Sequence, residues 1–263
     1  MSLRHVGAVL RRELVEMRRN RLVLATLAIL PIALVGAAIA TTHVIATVPE
    51  AEFRGDLPAG LAPQVQALGS GRDALLALIA EQYLTMLLLI SLALPSTIAA
   101  HAIVGEKVER TLEPLLATPI ATEDLLFGKC LAAILPAFVV TPLAYVLTVG
   151  GFVLTCPPEV VALSLRPVWP LAILVVAPAL ALLSSLAAII ASSRVSDART
   201  AQGLVGFLVI PVIAMGISTV IGQLFLDIVL LLWGIAFVIL LDWLALRIAV
   251  RLFSREAILT RWK

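Results

Sequence analysis

The sequence predicts an all-α integral membrane protein. Six transmembrane helices are preceded by an amphipathic N-terminal interfacial helix, and both termini are cytoplasmic. Of the 263 residues, 61% are hydrophobic and only 14% are charged, whereas a soluble domain carries about 25% charged residues. The mean hydropathy is +1.09, and long windows without any charge recur along the chain. A soluble core cannot bury this much apolar surface, so we expect most of the chain to lie in a lipid bilayer.

The N-terminal segment, residues 2–20, is predicted to form a helix on the membrane surface. At about 100° per residue, its apolar side chains fall within an arc of about 80°; they are Leu3, Val6, Leu10, Leu14 and Met17. A separate arc holds the arginines Arg4, Arg11, Arg12, Arg18 and Arg19. A basic amphipathic helix of this kind lies on the anionic inner leaflet. The alternative interpretation is a solvated basic tail.

Six windows are long and apolar enough to cross the hydrocarbon core, which is about 30 Å thick. They cover approximately residues 22–48, 75–104, 129–154, 168–192, 201–221 and 225–247. The last window requires Asp242 to lie one or two turns from the end of its helix. The connections are an outer loop at 49–73, a cytoplasmic coupling loop at 105–128 and a second cytoplasmic loop at 193–200. The whole chain, 1–263, is then a single transmembrane domain.

The orientation follows from the distribution of lysine and arginine. If the N-terminus is inside, 16 of the 19 basic residues lie on the cytoplasmic side, and Arg54, Arg72 and Arg166 lie outside. Cytoplasmic loops of membrane proteins carry such an excess of positive charge. We therefore predict a multi-pass protein of the inner (cytoplasmic) membrane with both termini in the cytoplasm.

The sequence contains no pattern that indicates catalysis. It has no G-x-x-x-x-G-K-[ST] loop for nucleotide phosphates, no H-E-x-x-H metal motif, and three scattered histidines. Ionisable groups are almost absent from the middle of the predicted spans, which argues against an ion-coupled carrier. Cys130 and Cys156 are predicted at opposite ends of one helix, too far apart for a disulfide. We expect neither catalytic residues nor a metal site, and no cofactor bound by this chain.

Residues 105–129, "GEKVERTLEPLLATPIATEDLLFGK", interrupt the apolar sequence with charges and two prolines. Thr111 can cap a helix of two turns that tolerates Pro114 in its first turn and ends at Thr118–Pro119. The apolar face of that helix would consist of Leu112, Leu115 and Leu116. An exposed apolar face indicates a partner; alternatively, these leucines fold back onto the helix bundle.

This segment resembles the signature of type-2 permeases of ATP-binding-cassette (ABC) exporters. The matching residues, in order, are Glu106-Lys107, Glu109-Arg110, Thr111-Leu112-Glu113, Leu115-Leu116, Thr118-Pro119 and Gly128-Lys129. Arg110 stands where many members of that family have glycine, which leaves the backbone turn there open. The resemblance implies that residues Glu106 to Pro119 form a coupling helix in a groove of a separate ATPase subunit.

The resemblance also implies the partners. ATP and magnesium would be bound by the ATPase subunit, and the cytoplasmic loop containing Arg194, Asp197 and Arg199 would make a smaller contact with it. A second permease copy is expected, most simply as a homodimer, although a related second permease is an alternative. Membrane lipids are expected to be partners and nucleic acid is not.

The function implied is that of the transmembrane permease subunit of an ATP-driven exporter. The alternatives are an ATPase-linked scaffold for assembly and, less favoured, an autonomous secondary carrier. Pro95 and Pro211 lie within predicted spans, and the resemblance makes them candidate hinges beside the translocation path. Static kinks that only assist packing are the alternative interpretation of both prolines.

Overall fold

The computed structural model describes residues 3–19, 21–54, 65, 68–108, 122–195, 197–220 and 228–252. Within these ranges every regular element is helical, which confirms the predicted fold class. The α-helices are α1 (Leu3–Arg19), α2 (Arg21–Thr47), α3 (Gly71–Val108), α4 (Thr122–Thr155), α5 (Pro158–Ser164), α6 (Val168–Leu171), α7 (Ala177–Arg194), α8 (Ala198–Val205), α9 (Val209–Val220) and α10 (Ile228–Leu252).

Six helical segments of the described chain are long and apolar enough to cross a membrane. The first, second and third spans are formed by α2, α3 and α4. The fourth span combines α5, α6 and α7, the fifth combines α8 and α9, and the sixth is α10. The number of spans agrees with the sequence prediction, and an even number places the two ends of the bundle on the same side.

The second span belongs to α3, the longest helix of the described residues. α3 has 38 residues, so it is about 57 Å long at 1.5 Å per residue. Its length is almost twice the thickness of the hydrocarbon core, about 30 Å. At its start, Gly69 adopts φ 75°, a left-handed conformation that glycine adopts at little cost. The Ser70 hydroxyl then accepts a hydrogen bond from the Asp73 amide at 3.2 Å and caps the helix.

The fourth span consists of several helical segments, and one break falls within the window predicted at residues 168–192. α5 ends at Ser164, whose carbonyl oxygen accepts a hydrogen bond from the Tyr145 hydroxyl of α4 at 2.8 Å. A turn of π-helix, Ala172–Val176, separates α6 from α7. It lies just before Pro178, whose missing N–H removes one α-helical hydrogen bond.

The centre of the bundle is formed by α3 and α7, which pack along each other. Fully buried side chains of α3, such as Leu84, Leu87 and Ile90, contribute to this core. The outer helices expose large apolar side chains, among them Ile32 of α2 and Trp233 of α10, which are 70% and 73% exposed. Such surfaces are expected where a helix faces lipid acyl chains.

The sixth span buries a carboxylate deeper than the sequence pattern suggested. Asp242 is 7% exposed and lies ten residues before the end of α10, or about 15 Å along the helix axis. Its Oδ1 atom makes no hydrogen bond within the described residues. The carboxyl group therefore lies inside the bundle rather than near a helix end.

Candidate functional site

The segment that carries the sequence signature connects two long helices. α3 ends at Val108, and α4 begins at Thr122 and continues for 34 residues. Glu106 and Lys107 belong to the last turn of α3. The remaining predicted coupling residues lie outside the described residues: Glu109, Arg110, Thr111, Leu112, Glu113, Leu115, Leu116, Thr118 and Pro119.

The two helices that flank this segment are packed together at the ends that it connects. Val104 of α3 and Leu126 of α4 are 7% and 2% exposed and belong to one hydrophobic cluster. The same cluster includes Cys130 of α4 and Ala201 of α8. Because interiors are close-packed and resist local deformation, a displacement of one helix end must be transmitted to the others.

The N-terminal helix α1 packs directly on the start of α4. A Cβ atom built on Gly128 would lie 2.8 Å from both Cβ and Cγ1 of Val9 and 3.3 Å from the carbonyl oxygen of Val6. Atoms of ordinary side chains do not approach this closely, so the contact requires glycine at position 128. We call the contact of Val6, Val9 and Glu13 with Gly128 and Lys129 the α1–α4 junction.

A buried ion pair completes the α1–α4 junction. Lys129 Nζ donates a hydrogen bond to Glu13 Oε1 at 2.7 Å, and the two side chains are 1% and 8% exposed. A charged group at such a position is tolerated only when it is paired, because transfer out of water costs several kcal/mol per ion. The pair therefore fixes α1 to α4 in one register.

The junction shows which face of α1 packs against α4, and this face differs from the predicted apolar stripe. Among residues 6–19 of α1, whose side chains the structure describes, the buried ones are Val6, Val9 and Glu13. Leu10, Leu14 and Met17 of the predicted stripe are only half-buried. The buried face of α1 is thus rotated from the predicted stripe and lies against protein. Glu13 is seven residues from Val6 and therefore on the same face; an acid at that position of a basic helix was the available signal, and sequence reasoning missed it.

The connection between α7 and α8, predicted as the second cytoplasmic loop, is short, and Asp197 caps the helix that follows it. The Asp197 carboxylate accepts hydrogen bonds from the Thr200 amide at 3.0 Å and from the Thr200 hydroxyl at 3.1 Å. These hydrogen bonds hold the pKa of the Asp197 carboxyl below its usual value. Arg194 lies in the last turn of α7 and Arg199 in the first turn of α8, and both are exposed. The three predicted secondary residues thus share one exposed connection.

The two predicted hinge prolines lie in different surroundings. Pro95 is buried within α3, and Pro211 is exposed on α9. Because proline has no N–H, the carbonyl oxygen of Ser91 loses its helical partner. The Ser184 hydroxyl of α7 donates to that oxygen at 3.4 Å, and the Ser91 hydroxyl lies 3.0 Å from that of Thr141 in α4. These contacts join the second, third and fourth spans at Pro95; a hinge at either proline stays a prediction.

The two cysteines lie at opposite ends of the third span, as predicted. Cys130 is buried near the start of α4, and the half-buried Cys156 follows its last residue. Partial burial raises the pKa of the Cys156 thiol. Within the part of the chain that the structure describes, no group of three or more His, Cys, Asp or Glu side chains is placed to hold a metal ion.

Comparison with known proteins identifies the family. A family model described as ABC-2 family transporter protein matches residues 7–251. The match runs from the first turns of α1 through nearly all of α10 and includes four residues of the α1–α4 junction, Val9, Glu13, Gly128 and Lys129. A search of curated proteins finds no match. Together with the six apolar helices, the match makes the chain a multi-pass membrane permease domain, and we conclude that it belongs to the ABC-2 family of transporter proteins.

Proposed function

We propose that this chain is the membrane subunit of an ATP-driven exporter of the inner membrane, and that a separate cytoplasmic ATPase subunit docks on residues 105–128. Family membership supports transport in general. We place both termini in the cytoplasm, because this orientation leaves 16 of the 19 basic residues on the inner side of the membrane. The absence of a nucleotide-binding loop from the sequence supports an ATPase on another polypeptide.

The observation that carries the proposal is the position of the signature segment. It connects the 38-residue α3 to the 34-residue α4, and these helices pack against each other. A force applied to residues 109–121 therefore acts directly on the second and third spans. The last two signature residues, Gly128 and Lys129, are fixed to α1 by the α1–α4 junction.

We propose the following coupling mechanism. Closure of two ATPase subunits around ATP moves the two coupling segments of a permease pair, and the long helices transmit that motion across the membrane. The hydrophobic cluster shared by Val104, Leu126 and Ala201 connects the second cytoplasmic loop to the same movement. ATP binding and hydrolysis by the ATPase subunits supply the free energy. This chain responds by shifting between two alternative arrangements of its helices.

We propose a homodimer as the functional unit. A bundle with α3 and α7 at its centre fills its own interior with apolar side chains, so a translocation path is better formed between two copies than within one. The exposed apolar surfaces of α2, α9 and α10 supply faces for a second copy and for lipid.

The proposal is tested by purifying the tagged chain from its native membrane and measuring the ATP hydrolysis that accompanies it. Substitution of Leu112 or Glu113 by alanine should lower both the amount of associated ATPase and the hydrolysis stimulated by transport, without changing the unfolding temperature of the permease. The matched control is Glu52→Ala, which removes an exposed acid on the opposite side of the membrane. Unchanged hydrolysis in Leu112→Ala and Glu113→Ala, or the absence of any ATPase, would contradict the proposal.

A further inference from the structure

The sixth span carries one acidic side chain, and that side chain lies on the buried face of the helix. The buried residues of α10 are Leu231, Val238, Asp242 and Ala249. Their spacings of seven, four and seven residues place them on one face of an α-helix. Trp243, the residue after the acid, is 49% exposed. α10 therefore directs its carboxyl group into the bundle and its largest apolar side chains outwards.

The face that carries Asp242 packs against the fourth and third spans. α10 contacts α7 most extensively, and it also contacts α4 and the π-helical turn at Ala172–Val176. An ionised Asp242 would act electrostatically on the Cys130 thiol of α4, and the Ser185 hydroxyl of α7 lies beside the same thiol. Side chains of the third, fourth and sixth spans thus meet around the carboxyl group. We call Asp242, Cys130 and Ser185 the α10 polar site.

No cation among the described residues neutralises the α10 polar site. Asp242 is 7% exposed, and its Oδ1 atom makes no hydrogen bond within the described part of the chain. The described titratable side chains of α4, α7 and α10, besides Asp242 and Cys130, are Asp124, Lys129, Tyr145, Arg194, Arg247 and Arg251. None of them compensates for the burial of the Asp242 carboxyl group.

The geometry explains why these cations do not reach the carboxyl group. The Nζ atom of Lys129 is bonded to Glu13 in the α1–α4 junction. Arg247 lies five residues after Asp242, about 140° around the helix, and its guanidinium group lies 4.1 Å from the centre of the Trp243 ring. Arg251 lies nine residues after Asp242, on the opposite face. Arg194 is the exposed last residue of α7.

A carboxylate without a counter-ion is unstable in such surroundings. Transfer of an ionised carboxylate from water to an apolar interior is so costly that the group takes up a proton instead. Ionisable side chains inside membrane-spanning segments are rare for the same reason, and they are commonly functional. The burial and the missing counter-ion of Asp242 therefore point to a proton as its ligand.

A metal ion fits the α10 polar site less well than a proton. Hard cations such as Ca²⁺ take about six to eight oxygen ligands. The site offers one carboxyl group, one thiol and the Ser185 hydroxyl, which donates a hydrogen bond to the carbonyl oxygen of Leu182 at 2.8 Å. In the described ranges, no three His, Cys, Asp or Glu side chains are placed to hold a metal ion.

We infer that Asp242 is a proton-binding site of the sixth span, protonated while α10 packs against α7 and ionised when α10 separates from the bundle. On separation the O–H bond of the carboxyl group breaks, and its proton passes to water that reaches the exposed side chain. The packed arrangement binds one proton more than the separated one, so a rise in pH favours separation by up to tenfold per pH unit. The site requires no ATPase, because every group that forms it belongs to this chain.

Infrared spectroscopy of the purified chain in lipid nanodiscs tests the protonation directly. The wild-type protein at pH 7 should show the carbonyl stretching band of a protonated carboxyl group, and this band should shift in heavy water. Asp242→Asn keeps the shape of the side chain and should lack the band. Identical spectra for the wild type and Asp242→Asn would overturn the inference, because any protonated carboxyl group would then lie elsewhere in the chain.

The matched control is Asp197→Asn, which changes an exposed carboxyl group whose pKa is lowered by its hydrogen bonds to Thr200. That carboxyl group is ionised at pH 7, so the control should keep the infrared band at its wild-type intensity. Loss of the band in Asp197→Asn would overturn the assignment to Asp242.

A second measurement follows the unfolding equilibrium constant in denaturing detergent between about pH 5 and 7. Relative to Asp242→Asn, the constant of the wild type should rise with pH by up to tenfold per pH unit, because the proton is lost on unfolding. The ratio for Asp197→Asn should be constant over this range. A constant ratio for Asp242→Asn would overturn the inference. Asp242→Leu supplies the same comparison if the asparagine variant does not fold.

These outcomes are separate from those of the proposed function. A preparation that has no associated ATPase but shows the Asp242 band would contradict the proposed function and leave the proton site standing. A preparation with ATPase coupled through residues 105–128, but with no infrared difference between the wild type and Asp242→Asn, would have the reverse meaning.

Discussion

Removal of one partner of the Glu13–Lys129 pair should destabilise the protein more than any exposed charge substitution. The Nζ–Oε1 distance is 2.7 Å, and the two side chains are 1% and 8% exposed. In Lys129→Met, the carboxylate of Glu13 stays in the junction without its cation. Breaking a buried pair in this way costs about 3–5 kcal/mol. We expect a value near the lower end, about 3 kcal/mol, because Glu13 is slightly more exposed than Lys129.

A double variant separates the energetic contribution of the Glu13–Lys129 pair from that of the other contacts in the junction. In Glu13→Leu/Lys129→Met both charges are replaced by apolar side chains of similar size, and such replacements are often neutral or stabilising. The free energy of unfolding should therefore return to within about 1 kcal/mol of wild type, which corresponds to a coupling energy of about 3 kcal/mol or more between the two positions.

The assay is reversible unfolding in mixed micelles by increasing amounts of denaturing detergent, followed by tryptophan fluorescence. The control is Arg72→Met, which removes a partner of the Arg72–Asp73 pair at the start of α3. That pair is 3.6 Å apart and its side chains are 30% and 19% exposed, so its loss should cost about 1 kcal/mol or less. ATP hydrolysis by the complex should follow the same order, because the junction also fixes the start of the third span.

The reasoning would be refuted if the effects of the two single substitutions on the free energy of unfolding were small and additive. If Lys129→Met and Glu13→Leu each cost less than about 1 kcal/mol, within the range of exposed pairs, and their effects sum to that of the double variant, the pair does not hold α1 on α4. The α1–α4 junction would then depend on the Val9–Gly128 contact alone.

Three further predictions concern other described residues. Gly128→Ala should lower the free energy of unfolding by about 1–3 kcal/mol, because the new Cβ would lie 2.8 Å from Val9. Gly150→Ala in the same helix has open space around it and should raise that free energy by up to about 1 kcal/mol. Detergent unfolding measures both variants, and equal effects would contradict the close contact at Gly128. Asp197→Ala should speed hydrogen exchange at the start of α8. In the wild-type chain the pKa of the Asp197 carboxyl is lowered, so the cap is complete above the usual carboxyl pKa and is lost only as the pH falls through the lowered value. Loss of the cap near neutral pH would be inconsistent with the hydrogen bonds to Thr200. Asp242→Leu removes a buried carboxyl without a described hydrogen bond at Oδ1 and should raise the free energy of unfolding by about 1–3 kcal/mol; a fall would show that the carboxyl has a stabilising role.

The six spans were predictable because each is decided by local composition. A charge-free window such as Leu22 to Pro49 is long and apolar enough that it is expected to lie in the bilayer. Neighbouring windows are separated by charged residues or turn residues. The boundaries were less predictable. α3 extends to Gly71 and Val108 because helices continue past the hydrocarbon core wherever packing and caps support them, and periodicity does not show where that support ends.

The α1–α4 junction was only half predictable. The signature named Gly128 and Lys129, but their partners Val9 and Glu13 lie more than a hundred residues earlier, and the ion pair has a sequence separation of 116. No local pattern encodes such a contact. Likewise, the hydrogen bond that compensates Pro95 comes from Ser184, 93 residues beyond Ser91. Ser184 is one of four serines in α7, and nothing in the local sequence singled it out for this contact.

The Ser184 hydroxyl has two acceptors within reach. Besides the Ser91 carbonyl oxygen at 3.4 Å, it lies 3.1 Å from the carbonyl oxygen of Ala181 in its own helix. If the second span straightens or bends at Pro95, the hydroxyl proton can rotate towards Ala181 and is not stranded in an apolar interior. A hinge at Pro95 would therefore exchange one polar contact for another, and the Ser184 hydroxyl would keep an acceptor in the apolar interior throughout the movement.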